Sequence, residues 1–315
     1  MVSSTFSTLV GQTQAVELLT QAIAQQRLAP AYLFAGPDGV GRRLTARYFL
    51  ELFIGSAGDN QQQYRLQQGN HPDVLWVTPT YVHQGKLVSV SEMAAKEGQR
   101  PKSRPQIRLE QVREIMRFLN RPPLQAPRSL VVLDQAETMT EAAANGLLKT
   151  LEEPGRATLI LIAPSTEALL PTLVSRCQRI PFYRLTTAQM QQVLTQTGYA
   201  EILINSQVLA MAQGSPGAAI ASWQQLQTIP PELLQACMEP PRSPRRALEL
   251  ARQIDQALDT DAQVWLVDYL QQVYWQQQWQ PRLLYPLEQA RQHLLSYAQP
   301  RLVWEVALLT ISQSD

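Results

Sequence analysis

The sequence predicts an α/β protein with a parallel sheet of the phosphate-loop type, followed by a helical region. Three observations predict this fold class. Short apolar runs alternate with amphipathic segments through residues 1–185, a glycine-rich loop follows the first apolar run, and helical periodicity alone marks the rest of the chain. Strands that alternate with helices favour right-handed crossovers and a parallel sheet with helices on both faces.

The apolar runs and the segments between them give the predicted elements of the sheet region. The predicted strands are residues 31–35, 74–77, 130–133, 158–162 and 179–183. The predicted helices are residues 13–26, 41–53, 109–120, 141–153 and 167–175. In a fold of this kind the loop after the first strand lies at the carboxyl end of the sheet, where nucleotides bind.

Beyond residue 185 the apolar residues recur at helical spacing, which is typical of a helical core rather than of a cofactor site. The predicted helices are residues 187–195, 207–213, 216–224, 244–258, 261–278, 282–298 and 301–311. Two proline pairs predict a boundary between residues 225 and 242. We therefore expect three domains, at residues 1–185, 186–228 and 229–315.

Residues 78–106 differ from their surroundings, because they are polar and rich in Lys, Arg, Gln and Pro. Residues 80–90 predict a hairpin that turns at Gln84 and Gly85. A solvated insertion and a loop that contacts DNA or a partner protein are both compatible with this composition.

Composition excludes several classes of protein. The formal net charge is +1 over 315 residues, so we expect any DNA contact to be local or shared with partners. Two cysteines, Cys177 and Cys237, are too few for a disulfide framework or a four-thiolate zinc site, and they fit a reducing cytoplasm. No signal peptide and no apolar run long enough to span a membrane is predicted.

The glycine-rich loop keeps the frame of a phosphate-binding loop without its two chemical residues. A working loop, G-x-x-x-x-G-K-[ST], uses a Lys for the phosphates and a hydroxyl for Mg²⁺. Gly36, Gly39 and Gly41 supply the frame, whereas Arg42 stands at the Lys position and Arg43 at the hydroxyl position. Backbone N–H groups and an arginine could still hold an anion, but we expect no ATP hydrolysis.

The second motif is the apolar strand 130–133 that ends in Asp134, the position of the magnesium-holding acid in phosphate-loop enzymes. A hydrolytic enzyme usually follows this acid with Glu, but Gln135 stands there and cannot accept a proton. Glu137 comes two residues too late, and a solvated turn residue is the simpler interpretation.

Two further motifs lie C-terminal to this strand. Residues 146–154 cover the end of the helix predicted at residues 141–153. This helix is amphipathic, is capped by Thr140 and is ended by Pro154. The segment 171–177 ends in Ser175, Arg176 and Cys177. Arg176 is either an arginine favoured by a helix C-terminus or an arginine finger presented to the ATP of a neighbouring subunit, and the segment alone does not distinguish the two.

Taken together, these motifs resemble the bacterial clamp-loader family of AAA+ proteins over residues 5–225, and more weakly beyond. The most specific segments are LLKTLEEP (147–154) and SRC (175–177), supported by GNHPDV (69–74), VGQ (10–12) and PRL (300–302). Within the family the chain is most similar to the subunit whose ATP site has decayed while its finger remains.

The resemblance implies an AAA+ sheet domain, a small helical lid and an all-α collar that joins five subunits in an open ring. It implies partners: ATPase and clamp-opening subunits, a sliding clamp, and primed DNA through the complex. Arg176 would act in trans as a finger, and the chain would be a rigid, non-hydrolysing subunit of a DNA polymerase assembly. Any polymerase activity would belong to that assembly.

Several positions depart from the active members of the family. Residues 54–68 lack the four cysteines that bind zinc in many relatives, so we expect no metal. The phosphate-sensing hydroxyl position falls near Ala163 and Pro164, and the lid segment 214–217 lacks the expected Arg. We expect no required cofactor, with weak ATP binding left open. A purely structural scaffold and an ATPase that uses Arg42 and Glu137 remain as alternatives.

Overall fold

The computed structural model describes residue 6 and residues 8–54, 60–95, 104–276 and 281–313. The chain divides into two compact units, Met1–Leu185 and Thr186–Asp315. The first unit ends at the residue where the predicted sheet domain ends. The predicted boundary between residues 228 and 229 falls inside the second unit and stays a prediction.

A five-stranded parallel sheet organises the first unit. In chain order the strands of the unit are β1 (Ala31–Ala35), β2 (Val74–Val77), β3 (Thr80–His83), β4 (Lys86–Ser89), β5 (Ser129–Leu133), β6 (Ala157–Ala163) and β7 (Gln178–Pro181). Strands β3 and β4 form a separate two-stranded sheet. The sheet order is β2-β5-β6-β1-β7, and β5 and β6 are buried along their whole length, as expected of central parallel strands. The five strands predicted from apolar runs are confirmed, with ends that differ by at most two residues.

Helices cover both faces of this sheet. They are α1 (Thr13–Ala24), α2 (Arg42–Ile54), α3 (Asn60–Gln67), α4 (Val90–Ala94), α5 (Leu109–Leu119), α6 (Glu141–Glu152) and α7 (Pro171–Val174). Leu33 of β1 shares one buried cluster with Val112 of α5 and Leu147 of α6. Because side chains alternate along a strand, Tyr32 points to the other face, where its ring meets Phe49 of α2 at 5.7 Å between centroids.

The predicted helix over residues 167–175 is wrong in length, since only Pro171–Val174 is helical. Proline favours the first position of a helix and pushes the preceding residue out of the helical region. Leu170 accordingly has an extended backbone, with φ −59° and ψ 133°. The helix therefore begins at Pro171 and leaves Arg176 just beyond a single turn.

The predicted hairpin in the polar segment is confirmed. β3 and β4 pair antiparallel, from Thr80 opposite Ser89 to His83 opposite Lys86. Gln84 and Gly85 both have positive φ, at 48° and 76°, which matches the right-handed twist of the flanking strands. Three basic residues of the polar segment lie outside the described residues: Lys96, Arg100 and Lys102.

The second unit is helical throughout its described residues. Its helices are α8 (Thr187–Gln196), α9 (Ser206–Ala212), α10 (Pro216–Thr228), α11 (Pro231–Met238), α12 (Pro244–Ala257), α13 (Thr260–Gln276), α14 (Pro281–Leu295) and α15 (Pro300–Ser312). The segment between the two proline pairs forms α11, with Pro231 at its first position. One buried cluster runs from Ile229 to Ile311 and includes the fully buried Trp304. None of the helices in the described part of the chain is long and apolar enough to cross a membrane.

A buried carboxylate fixes the loop that precedes β5. Asp73 is 2% exposed, and its oxygens accept N–H groups of Leu124, Gln125 and Ala126 at 2.7, 2.6 and 2.7 Å. Burial alone would raise the pKa of Asp73, but the three donors outweigh it and hold the pKa below its ordinary value. The ionised side chain thus holds residues 124–126 against the start of β2.

Asp73→Asn should lower the free energy of unfolding by about 2–4 kcal/mol, because an amide cannot accept all three hydrogen bonds and brings donors of its own. The lowered pKa means that this stabilisation is present above the ordinary Asp range and is lost as the pH falls through the folded-state pKa. The difference in unfolding free energy between the variant and wild type, measured by urea unfolding, should therefore be larger at pH 7 than at about pH 3. The exposed Glu114→Gln serves as the control, and coincident transitions for Asp73→Asn and wild type at pH 7 would contradict the assignment.

Candidate functional site

The glycine-rich loop connects β1 to α2, as the motif predicts. Gly36 has no room for a side chain, because a Cβ there would lie 2.3 Å from the carbonyl oxygen of Phe182. Gly39 and Gly41 have φ of 74° and 105°, values that disfavour other residues. Two of the three frame glycines are therefore required by backbone conformation and the third by close approach of β7.

Gln12 braces this loop from the start of α1, a role that the sequence did not reveal. Its Nε2 donates to the carbonyl oxygens of Val40 and Tyr183, at 3.2 and 2.7 Å, and its Oε1 accepts the Tyr183 N–H at 3.1 Å. Gln12 is 2% exposed. One amide thereby ties the loop to the end of β7, and its only signal in the sequence is the VGQ segment.

Arg42, at the position of the phosphate-binding Lys, is buried at the start of α2. Its guanidinium forms an ion pair with the exposed carboxylate of Asp38, four residues earlier in the same loop. Its Nη1 is buried and has no hydrogen-bond partner among the described residues. The positive charge at this position is therefore paired with an acid of the loop. It is carried by a planar guanidinium rather than by the compact, flexible ammonium group of a lysine.

Arg43, at the position of the magnesium-binding hydroxyl, reaches Asp134 at the end of β5. Arg43 Nε lies 2.9 Å from Asp134 Oδ2, and the side chains are 58% and 5% exposed. Burial raises the pKa of Asp134, and the positive charge of Arg43 opposes that rise. The guanidinium carbon of Arg43 also lies 5.9 Å from the centre of the Trp76 ring on β2.

This pair decides which ligand the site can take. In a working site the strand-end acid and a hydroxyl hold Mg²⁺, and the metal neutralises the phosphates. Here Arg43 stands in place of the hydroxyl and forms an ion pair with the acid, Asp134. The residues present therefore do not fit a magnesium–nucleotide complex. No group of three or more His, Cys, Asp or Glu in the described ranges could hold a metal ion.

Glu137 lies in a short 3₁₀ turn, Ala136–Thr138, and is half-buried rather than solvated as the simpler interpretation had it. Its Oε2 is buried without a hydrogen-bond partner in the described part of the chain. Burial raises its pKa, and the nearby carboxylates Asp38 and Asp134 add to the rise. Gln135, which replaces the water-polarising acid, is exposed and left-handed, with φ 55°.

The phosphate-sensing position also lacks a hydroxyl. Ala163 ends β6 beside Ala35 of β1, and its carbonyl oxygen accepts the Gly36 N–H at 3.3 Å. The next hydroxyls along the chain, those of Ser165 and Thr166, both hydrogen-bond to Glu167, that of Thr166 at 2.5 Å. In the second unit, Ser215 caps α10 by accepting the Ala218 N–H at 3.2 Å, which gives this lid residue a structural role.

Arg176 follows α7, and its side chain is 35% exposed. Its Nη1 donates to the Thr172 carbonyl oxygen at 2.9 Å, as expected of an arginine at a helix C-terminus. Its Nη2 lies 2.6 Å from Oε1 of Glu152, the last residue of α6. Burial raises the pKa of the neighbouring Cys177 thiol to about 11, so this cysteine is not a reactive thiolate at neutral pH.

The predicted site residues thus fall into two groups. Gly36, Gly39, Gly41, Arg42, Arg43 and Asp134 form one cluster around the loop at the carboxyl end of the sheet. Arg176 pairs with Glu152, a residue of the predicted amphipathic helix.

Comparison with known protein families gives two matches that together cover most of the chain. A family model described as DNA polymerase III, delta subunit, matches residues 11–186. A second, described as the C-terminal domain of cyanobacterial DNA polymerase III delta prime, matches residues 188–311. The two matches meet next to the point where the chain divides into its two compact units.

Curated relatives include delta prime subunits of DNA polymerase III. The chain is 30% identical over 181 residues to DNA polymerase III subunit delta′ of Bacillus subtilis, covering 55% of this chain and 48% of that protein. It is 33% identical over 168 residues to the delta′ subunit of Pseudomonas aeruginosa, covering 51% and 45%. The aligned part spans about half the length of these relatives, and the resemblance to delta prime subunits is confirmed.

Among solved structures, the DNA polymerase III gamma subunit-related protein of Thermotoga maritima aligns with a TM-score of 0.52 and 17% identity. The alignment covers 95% of this chain and 99% of that one. At this identity the likeness concerns the fold alone, and it confirms the predicted class of a parallel α/β sheet followed by a helical region.

Arg43→Ala should lower the free energy of unfolding at pH 7 by about 1–2 kcal/mol, less than for a fully buried pair, because Arg43 is more than half exposed. The pKa of Asp134, already raised, should rise further once its cation is gone. A raised carboxyl pKa costs stability as the pH rises above the ordinary Asp value, so the gap should open between about pH 4 and pH 7. Denaturant unfolding across this range checks it.

Arg43→Lys, which keeps a positive charge near Asp134, is the comparator and should retain most of the stability at pH 7. If the difference in unfolding free energy between Arg43→Ala and wild type is the same at about pH 4 and at pH 7, the pair contributes nothing through its charge.

Proposed function

Because this chain belongs to the DNA polymerase III delta subunit family, we propose that it serves as a non-hydrolysing subunit of a clamp loader in bacterial DNA replication. In that role it helps to place a sliding clamp on primed DNA. Its partners are the ATPase and clamp-opening subunits of the same complex, the clamp, and DNA through the complex. The complex acts in the cytoplasm. The polymerase activity belongs to the whole assembly and not to this chain.

The ion pair between Arg43 and Asp134 carries the non-hydrolysing part of this proposal. Hydrolysis needs Mg²⁺ between the strand-end acid and the phosphates, and Asp134 already has an arginine at 2.9 Å. The water-polarising acid and the sensing hydroxyl are also absent at Gln135 and Ala163. The chain requires no nucleotide and no zinc of its own in this account.

Arg176 carries the positive part of the proposal. Such a finger must be exposed enough to reach a neighbour and ordered enough to arrive in one orientation. Arg176 is 35% exposed and has two hydrogen-bond partners, Thr172 and Glu152. Arginine fingers contribute roughly 10³–10⁵ to the rate of nucleotide triphosphatases. The chain would thus contribute to ATP hydrolysis in a neighbouring subunit while hydrolysing none itself.

Arg176→Ala should lower ATP hydrolysis by a reconstituted loader in which only the ATPase subunit facing this chain keeps its phosphate-loop lysine. We expect a fall of at least about 1,000-fold in kcat at that site, at the low end of finger effects. Arg176→Lys should not restore the rate, because lysine lacks the planar fork of donors.

Arg179→Ala, which removes an exposed arginine of β7 three residues away, is the matched control and should leave the rate unchanged. Unchanged turnover by Arg176→Ala, in a complex that still assembles, would exclude the finger and favour a purely structural subunit. Hydrolysis of ATP by the chain alone would favour the active ATPase instead.

A further inference from the structure

The guanidinium of Arg176 is held from two sides. Thr172, one turn earlier, accepts from Nη1 at 2.9 Å. Glu152, 24 residues earlier in the chain, accepts from Nη2 at 2.6 Å. A hydrogen bond to a helix carbonyl is common for an arginine in this position, whereas the carboxylate comes from a different helix and requires a specific tertiary arrangement.

Both elements that carry this pair are anchored in the same core. Leu147 and Leu151 of α6 and Leu173 and Val174 of α7 belong to one buried cluster with the central strands of the sheet. Glu152 ends α6 directly after Leu151. The backbone that carries the carboxylate is therefore held in place by buried neighbours, while the Glu152 side chain itself is 52% exposed.

The two contacts leave the guanidinium able to act on a ligand. Arginine has five N–H donors in a planar fork, and Thr172 and Glu152 account for one each. Three donors remain for phosphate oxygens, and the side chain is 35% exposed. A carboxylate that takes one donor and leaves three fixes the plane of the guanidinium without removing its function.

We propose that Glu152 is a positioning residue for Arg176, an inference that depends on the finger role proposed above. Glu152 holds the guanidinium in the orientation from which it meets the neighbour's phosphates, so the side chain does not have to be ordered at each turnover. Catalysis depends on such positioning, because a displacement of about 1 Å can cost about 100-fold in rate. Glu152 itself touches no substrate in this account.

In the reconstituted loader with one active site facing this chain, Glu152→Ala should lower kcat about tenfold, a smaller loss than for Arg176→Ala. The KM for ATP should stay unchanged, because the nucleotide is bound by the neighbour's own loop. Glu152→Gln should recover part of the rate, since its amide oxygen still accepts one N–H. Glu153→Ala, which removes the adjacent exposed carboxylate of the same segment, is the matched control and should match wild type.

A double-mutant cycle distinguishes positioning from an independent role. If Glu152 acts through Arg176, the variant with both residues changed to Ala should be no slower than Arg176→Ala alone. Falls that multiply in the double variant would overturn the inference, as would wild-type kcat in Glu152→Ala while Arg176→Ala is slow. Wild-type kcat in Arg176→Ala would overturn the finger role and this inference with it. Unfolding midpoints of the isolated variants show whether each chain still folds.

Discussion

Asp134 is a carboxylate buried at the end of a central strand, and such a group needs a cation within reach. In a phosphate-loop enzyme that cation is Mg²⁺, which arrives with the nucleotide. In this chain it is Arg43, which belongs to helix α2 of the same unit and lies 2.9 Å away. The cation that a phosphate-loop enzyme takes from a bound metal is here a side chain of the same protein.

The neighbouring substitutions are consistent with this arrangement. Arg42 pairs with Asp38 inside the loop, Gln135 points to solvent, and Ala163 presents only its backbone. Meanwhile the loop keeps its shape, because Gly36 lies against Phe182 and Gln12 ties Val40 to Tyr183. The shape of the loop is thus retained although the residues that hydrolysis needs are replaced. Arg176, on a different part of the same unit, is partly exposed and is held by hydrogen bonds to Thr172 and Glu152.

The sequence was most informative where one residue type has few physical alternatives. Continuous apolar runs identified β5 and β6, and glycines at fixed spacing identified the loop between β1 and α2. The start of α7 was predicted four residues too early, at residue 167 instead of Pro171, because the effect of Pro171 on Leu170 outweighs helical periodicity. The pairs that define the site, Arg43 with Asp134 and Arg176 with Glu152, join residues far apart in the chain. Composition and periodicity carry no information about which distant side chains meet, so these pairs required the structure.

The most direct test of the central claim is magnesium-dependent binding and hydrolysis of ATP by the isolated chain. Equilibrium binding of a fluorescent ATP analogue, measured with Mg²⁺ and with EDTA, should show no gain from the metal, and phosphate release should stay at background. A magnesium-dependent rise in affinity accompanied by turnover would contradict the account, because it would require Arg43 to give Asp134 up to the metal.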